Sequence, residues 1–478
     1  MTELDVLKQI DFDWTRQVKS VLEDWIYDIP ELHQSIKSDI LNEVFRLQRS
    51  KQIYSPLGRV ILGSAGSGKT HLLGSIRKEA FKTYSWFILV DMTGVKDFEE
   101  TVLLGYLDSL RANYSHTKQQ YQVILEMFLK VISRNKSLHR LSLLQEAQLT
   151  GEVNQIINLV WQKYGTAALD YLDVLRALFY FNSQNFNISE IGYSFLLGLE
   201  MDSLDKEKFC FRRNQQRPFD IIKALSWIMS LGGATILALD QLDAIVTQHH
   251  LSSGGKDNTD LTNEQKMSLA IIEEIARGLS DLRGITSKTL IIVSCMEATW
   301  EILKMKALTA DTDRYRSPQL LKEVETRDIV ERIVHIRLKE AFRVCSFVPS
   351  YPTWPFKPES FEDIKSLPPR LILKKCDEIR NRMIQLGTVS DVYNFFPEER
   401  HVQSQPYENS THPLDPSFER WRTSASGVMD EASEDTEAGA LIADACRWLL
   451  MEHEIPERID VVIDISVTGE HNYPSLHA

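Results

Sequence analysis

The stretch RVILGSAGSGKTHLLGSI (residues 59–76) joins a short apolar run to an amphipathic one through a segment rich in glycine. Residues 63–70 within it match the pattern G-x-x-x-x-G-K-[ST] at every position. Glycines at the bends let the main chain wrap closely around phosphate groups, and successive N–H groups then form an anion nest at a helix N-terminus. The stretch therefore predicts a strand, a phosphate-binding loop and a helix, in that order.

The polar residues of the loop have predicted roles in holding a nucleoside triphosphate. The Lys69 ammonium reaches the β- and γ-phosphates, and the Thr70 hydroxyl ligates Mg²⁺. We therefore predict that ATP and Mg²⁺ bind here. The predicted nucleotide-binding residues are Gly63, Ser64, Ala65, Gly66, Ser67, Gly68, Lys69, Thr70 and His71.

A second motif supplies the acidic partner that a Mg²⁺–triphosphate site needs. The apolar run ATILALD (residues 234–240) predicts a buried strand that ends at Asp240. A carboxylate at the end of a neighbouring strand holds Mg²⁺, usually through water. Thr70 and Asp240 are therefore the predicted metal ligands.

The residue after Asp240 leaves the rate of hydrolysis open. Many ATPases with an extra strand between the loop strand and the acidic strand carry glutamate there to polarise the attacking water, whereas this chain has Gln241. Glutamine can orient water but cannot take its proton at neutral pH. Hydrolysis is then slow, or Gln241 positions the water, or Asp243 acts as the base. The competing interpretation of Asp243 is a solvated side chain.

Apolar strands alternate with amphipathic helices along most of the chain, which predicts an α/β fold with a mostly parallel sheet covered by helices on both faces. The sequence from about 97 to 230 has mostly helical patterns. It is longer than the connection that a minimal α/β unit needs, so we predict a helical insertion at about 113–218. Further predicted strands are WFILVDM (86–92), TLIIVSC (289–295) and RIVHIRL (332–338), and predicted helices include 12–25, 31–48, 262–283 and 370–386.

Composition limits the class of protein. The chain has 478 residues, a net charge of −13, 43% hydrophobic residues and 25% charged residues, which is ordinary for a globular protein of two or more domains. Its five cysteines are scattered and form no CxxC pair, which argues against a disulfide framework and a zinc site. The acidic N-terminus does not resemble a signal peptide, and no uncharged apolar run approaches the ~20 residues of a membrane span. These features predict a soluble, cytoplasmic protein.

With these motifs, residues 30–387 resemble the AAA+ and STAND branch of the P-loop ATPases, particularly its origin-recognition-like members. The resemblance implies an ASCE/AAA+-type core with a helical lid. It also implies three kinds of phosphate-sensing residue. These are Ser294 (with Glu297 second) at the end of a sensor strand, Arg370 at the start of a lid helix, and Arg314 or Arg316 as a finger that enters a neighbouring subunit.

A further resemblance is to large bacterial ATPases of antiphage and restriction-type gene clusters, such as BREX-like systems. It rests on SPLGRVILGSAGSGKTHLL, FILVDMTGVKDFEETVLLGYLDSL and ALDQLDAI. It implies a role in an antiphage complex that acts on DNA.

One basic segment, KEKFCFRRNQQR (residues 206–217), interleaves cations with aromatic residues. Such a segment can hold a phosphate backbone and stack on bases, although charge runs are more often solvated faces. The predicted DNA contacts are Lys206, Lys208, Arg212, Arg213 and Arg217, around Phe209 and Phe211. The pair His249–His250 is predicted to be exposed.

The predicted organisation is N-terminal helices (1–50), the ATPase core (51–338), the lid (339–394), an acidic linker (395–440) and a C-terminal segment (441–478) that begins a further domain or joins the sheet edge. The predicted function is an ATP-hydrolysing motor or loader subunit, in a homo-oligomer or larger complex. The alternative is a nucleotide switch or scaffold that hydrolyses ATP slowly. A small-molecule or nucleoside kinase is the third interpretation.

Overall fold

The computed structural model describes residues 2–13, 18–23, 29–133, 135–244, 263–306 and 313–396, with side chains left aside at 263–269 and 306. Several sequence predictions lie outside these residues. They are the helix face at Trp14 and Trp25, the pair His249–His250, the acidic linker beyond residue 396 and the segment 441–478.

Five parallel strands form one sheet, in the order β2-β5-β6-β1-β7. The four longer strands are buried along almost their whole length, which agrees with their continuous apolar sequences. A small antiparallel pair, β3 with β4, is separate from this sheet. The strands are β1 (Arg59–Leu62), β2 (Trp86–Asp91), β3 (Asn113–Ser115), β4 (Lys118–Gln119), β5 (Thr235–Asp240), β6 (Thr289–Cys295) and β7 (Gln319–Leu320).

Helices occupy most of the remaining described chain. The α-helices are α1 (Glu3–Gln9), α2 (Gln34–Arg49), α3 (Lys69–Lys82), α4 (Phe98–Arg111), α5 (Gln120–Ile132), α6 (Leu138–Ser142), α7 (Glu146–Tyr164), α8 (Leu172–Phe181), α9 (Phe186–Leu196), α10 (Ser203–Lys208), α11 (Pro218–Ser230), α12 (Asn263–Ile285), α13 (Glu297–Lys306), α14 (Arg327–Val344) and α15 (Pro369–Leu386). Short 3-10 helices lie at Val18–Leu22, Gly165–Tyr171 and Pro358–Glu362.

Alternate residues of each strand point into two different cores. Ile61 of β1 packs with α2 and α3 on one face, whereas Val60 and Leu62 belong to a core with α4, α5 and α11 on the other. The α/β class with both faces covered is therefore confirmed. A third core joins α1, α14 and α15 and contains buried Phe356. We call α1, α14 and α15 the helical cap.

Two predicted elements were wrong. The run RIVHIRL (332–338) is part of α14, because Val330, Ile333, Val334 and Leu338 are buried at helical spacing. The fifth strand is the short β7 instead, which pairs with β1. In the predicted helix 12–25, the described residues 18–22 form a 3-10 helix, and the first α-helix is α1.

The other predicted strands and the helices around 34–49, 263–285 and 369–386 are confirmed to within a few residues. The predicted boundary between core and lid, at residue 338, falls inside α14. Among the described helices, none combines the length and the apolar character that crossing a lipid bilayer requires.

Candidate functional site

The glycine loop lies at the carboxyl edge of the sheet, between β1 and α3. Gly66 and Gly68 have φ values of +81° and +95°, which side chains rarely tolerate. A Cβ on Gly63 would lie 2.4 Å from Ser67 Oγ, and a Cβ on Gly66 would lie 2.5 Å from Arg370 Cβ. The loop therefore takes a path that only glycine permits at these positions, as its sequence pattern predicts.

Lys69 is the first residue of α3, and its side chain turns back over the loop. Its Nζ donates to the carbonyl oxygens of Gly63, at 2.6 Å, and of Ser64, at 3.2 Å. The same ammonium lies 3.6 Å from Asp243 Oδ2. The lysine is thus placed at the mouth of the loop, with a carboxylate as its anionic partner.

Thr70 and Asp240 meet across 170 positions of sequence. Thr70 Oγ1 donates to Asp240 Oδ2 at 2.6 Å. Asp240 is 1% exposed, and its Oδ1 has no hydrogen-bond partner among the described residues. Burial raises the pKa of Asp240, while the hydroxyls of Thr70 and Ser294 act in the opposite direction.

This pair of oxygens fits a magnesium site. Mg²⁺ prefers oxygen ligands and usually takes only one or two from the protein. A buried carboxylate oxygen without a partner, beside a threonine hydroxyl at the start of a helix, is such a donor set. Thr70 and Asp240 are therefore the residues that would hold the ion.

Gln241 follows Asp240 with φ of +65°, in the left-handed region that non-glycine residues seldom adopt. Backbone conformations of this kind cluster at functional sites. Gln241 lines the same cavity as Lys69 and Thr70. The structure thus places a neutral amide, rather than a carboxylate, directly after Asp240 in the lining of the cavity.

Asp243 is held by several partners and is not a freely solvated side chain. Its Oδ1 accepts from the Met296 N–H at 2.7 Å and from Thr299 Oγ1 at 2.8 Å. Met296 follows β6 and directly precedes α13, so Asp243 connects the end of β6 to Lys69. This connection was not predicted from the sequence.

Ser294 lies within β6, beside Asp240, because Leu239 of β5 is paired with Val293 of β6. Its side chain is fully buried, and its Oγ has no partner of hydrogen-bonding geometry among the described residues. Glu297 is exposed at the start of α13. Neither residue lines the cavity, to which this part of the chain contributes Met296 instead. Their sensor role stays a prediction.

Two arginines of the helical cap face the loop. Arg370 lies at the N-terminus of α15, and its main-chain N–H donates to the Gly66 carbonyl at 3.3 Å. Arg337 of α14 lines the same cavity and was missed, because its segment was interpreted as a strand. With 332–338 assigned to a helix, Arg337 falls one turn after Ile333, which also lines the cavity.

The cavity between loop and cap has a volume of about 290 Å³. Its lining includes the polar residues Lys69, Thr70, Gln241 and Asp243. It also includes the apolar residues Ile29, Leu32, Ile333, Ile336 and Leu373. This lining suits a ligand that has both an anionic part and an apolar part.

The segment just before α2, residues 29–33, contacts the glycine loop and the start of α3. The sequence analysis did not predict it as part of the site. His33 Nε2 donates to the Ser67 carbonyl at 2.9 Å, and burial lowers the pKa of His33. The Ile29 N–H donates to His71 Nε2 at 3.4 Å. His71 therefore lies in the site as predicted, where it contacts this segment.

Arg314 and Arg316 precede β7 and are held by their own chain. Arg314 Nη1 donates to the Ser280 carbonyl at 2.7 Å, and Arg316 Nη2 lies 2.7 Å from Glu43 Oε1. Neither residue lines the cavity. Their role as an inter-subunit finger stays a prediction.

In the basic segment 206–217, the aromatic rings are buried and most of the cations are paired. Phe209 and Phe211 are 1% and 4% exposed, so the expectation that they stack on bases was wrong. Their apolar rings belong to the same hydrophobic core as Val60 and Leu62 of β1. Four of the five cations have carboxylate partners, namely Lys208 with Glu146, Arg212 with Asp173, Arg213 with Asp170 and Arg217 with Asp220.

Comparisons with known proteins give little further guidance. No protein-family model and no curated protein sequence matches the chain. Among solved structures, the chain is similar to Cdc6p from Pyrobaculum aerophilum, with 9% sequence identity over 78% of this chain and 68% of that chain and a TM-score of 0.34. The function is therefore argued from the geometry of the site.

Proposed function

We propose that this chain is an ATP-binding and ATP-hydrolysing P-loop ATPase of the AAA+ type. The observation that carries the proposal is the convergence of Lys69, Thr70 and Asp240 at one edge of the sheet. A glycine loop, the N-terminus of a helix and a buried carboxylate from a separate strand meet there. The placement of β6 between β1 and β5 adds the extra strand that many ATPases of this kind have.

The residues divide the binding of ATP between them. The Gly-rich main chain and the start of α3 supply N–H donors for the phosphates. When ATP binds, Lys69 exchanges its partner Asp243 for the β- and γ-phosphates, because the Asp243 carboxylate and the phosphates compete for the same ammonium group. The apolar side chains of Ile29, Ile333 and Leu373, which line the same cavity, accept the base. Thr70 and Asp240 would hold Mg²⁺, which when bound would neutralise charge at the phosphates.

Titration of ATP tests this assignment. We expect Lys69→Ala to lower the affinity for Mg·ATP by about 100-fold or more, because charge-assisted contacts to phosphate are lost. The matched control is Lys82→Ala, on the exposed last turn of the same helix, where the side chain pairs with Glu79 one turn away. Unchanged ATP affinity in Lys69→Ala would end the assignment.

A second candidate function is a nucleotide switch that hydrolyses ATP slowly. Gln241 favours it, since an amide cannot accept the proton of the attacking water. Asp243 could take that proton only after leaving Lys69, and its other oxygen stays bound by Met296 and Thr299. Single-turnover hydrolysis measured with and without DNA separates the two functions. Tight ATP binding with negligible turnover in all conditions supports the switch and excludes the motor.

The action of the ATPase on DNA, its assembly with other copies and a role in antiphage defence come from sequence resemblance. We retain them as proposals. Mass measurement with and without ATP tests assembly, and a protein that stays monomeric at all concentrations would remove the finger role of Arg314 and Arg316.

A further inference from the structure

A second cavity, of about 310 Å³, lies at the opposite edge of the sheet from the ATP site. Several of its lining residues come shortly before strands, whereas Ser64, Gln241 and Met296 of the ATP site come just after strands. Tyr54 precedes β1, Arg283 precedes β6 and Arg316 precedes β7. In a parallel sheet, the amino ends of all strands share one edge, so this cavity is distinct from the ATP site.

The cavity carries a positive charge. Arg46, Arg283 and Arg316 line it, and Glu43 is the single carboxylate among its described lining residues. Glu43 is already bound by Arg316 at 2.7 Å and by Arg59 Nη2 at 2.7 Å. The one negative charge is therefore more than neutralised, which makes the cavity a site for an anion within a chain of net charge −13.

Two of the arginines keep donors for a ligand. Arg46 is exposed on α2 and has no ion pair among the described residues. Arg283 uses Nε to donate to the Pro56 carbonyl at 3.1 Å, which fixes the guanidinium and leaves its terminal nitrogens without a partner in the described chain. A guanidinium fixed in this way binds the oxygens of a phosphate with two parallel hydrogen bonds.

An aromatic ring stands at the rim of the cavity. Tyr54 lines it and is 49% exposed, and its neighbour Ile53 is 52% exposed. Guanidinium groups that hold a phosphate beside an exposed ring on which a base can stack are the combination that single-stranded nucleic acid recognises. An acidic peptide would need the arginines but would gain little from the ring.

We propose that this cavity binds a phosphodiester group of a single-stranded nucleic acid, with a neighbouring base stacked on Tyr54. The proposal goes beyond the ATPase function and does not depend on it, because the two sites share no lining residue. It also differs from the predicted contact at residues 206–217, where the aromatic rings are buried.

The test is fluorescence anisotropy with the full chain and a labelled oligothymidine about 16 nucleotides long, at several salt concentrations. The matched pair is Arg46→Glu and Arg49→Glu. Both residues are exposed on α2 and separated by three positions, but Arg49 lies over the Phe45 ring and does not line the cavity. Thermal melting checks that both variants remain folded.

We expect Arg46→Glu to weaken binding by about tenfold or more and to reduce the salt slope by about one. Tyr54→Ala should weaken it by about fivefold or more, through lost stacking. Arg49→Glu should change affinity by less than about threefold, and Lys69→Ala should leave it unchanged.

Four results would overturn the proposal: no binding by the wild-type chain at low salt, equal losses in Arg46→Glu and Arg49→Glu, wild-type affinity in Tyr54→Ala, or equally tight binding of duplex DNA. Polyglutamate that competes as well as unlabelled oligothymidine would assign the cavity to an acidic protein segment instead. Loss of oligothymidine binding in Lys69→Ala would place the nucleic acid at the ATP site.

Discussion

The loop at residues 63–70 and the basic segment at 206–217 both carry sequence patterns suited to phosphate, yet the folded chain treats them differently. At the loop, Lys69 and Thr70 meet Asp240 and Asp243 around a cavity. In the basic segment, most cations pair with nearby carboxylates, and the aromatic rings are buried in a hydrophobic core.

The difference shows which kind of pattern determines a site. Fixed spacing of glycines and a lysine specifies a main-chain path, and Gly66 and Gly68 have the positive φ values that this path requires. A run of cations specifies only local charge, and any nearby carboxylate can neutralise it. Three experiments test this contrast, from the largest expected effect to the smallest.

The first compares two buried aspartates, each of which contacts one of the two regions, Asp240 through Thr70 and Asp173 through Arg212. Asp240→Asn should reduce ATP turnover by at least about 100-fold, because it removes a metal ligand. Its melting temperature should not fall, because burial raises the pKa of Asp240 and the charged form therefore disfavours the folded state near neutral pH.

Asp173→Ala is the counterpart. Asp173 is fully buried, accepts from the Arg212 N–H at 3.2 Å and lies 3.5 Å from Arg212 Nε. We expect about 1–3 kcal/mol of lost stability and unchanged turnover per folded molecule. Reduced turnover in Asp173→Ala, or unaffected turnover in Asp240→Asn, would contradict the contrast.

The second experiment compares two glycines. Gly66→Ala introduces a side chain at φ +81° and 2.5 Å from Arg370 Cβ, so we expect ATP affinity to fall by about tenfold or more. Gly151→Ala, in α7 with open space around it, should stabilise the chain by about 0.5–1 kcal/mol. Isothermal titration and chemical denaturation measure the two effects. Equal ATP affinity in both variants would remove the special requirement for glycine in the loop.

The third experiment concerns pH. Burial lowers the pKa of His33, so as pH falls the imidazole is protonated more readily in the unfolded chain than in the folded chain. This group therefore contributes fully to stability above the ordinary pKa of 6.5, and its contribution is lost as pH falls below that value. Chemical denaturation between about pH 5 and 8 should show a smaller loss at low pH for His33→Gln than for the wild type. If the free energy of unfolding of His33→Gln and of the wild type depended on pH in the same way, His33 would make no contribution to the loss of stability at low pH.

Sequence reasoning reached the parts of this site that depend on local geometry. The loop, α3 and the strand that ends at Asp240 each have a pattern within a few consecutive residues. What it missed depends on tertiary packing. The alternation in RIVHIRL fits a strand as well as a helix over seven residues, so α14 and Arg337 were misplaced. The approach of His33 to Ser67 is set by the packing of α2, which no local pattern records.

The most direct test of the account is electron paramagnetic resonance of Mn²⁺, used in place of Mg²⁺, in the presence of ATP. With the chain in excess over Mn²⁺ and ATP, we expect the wild type to convert the spectrum of free Mn·ATP into that of a protein-bound ion that keeps its hyperfine coupling to phosphorus. We expect Asp240→Asn to lose this protein-dependent change. The same Mn²⁺ signal in Asp240→Asn, or Mn²⁺ and ATP that bind independently of each other, would contradict a shared site at Lys69, Thr70 and Asp240.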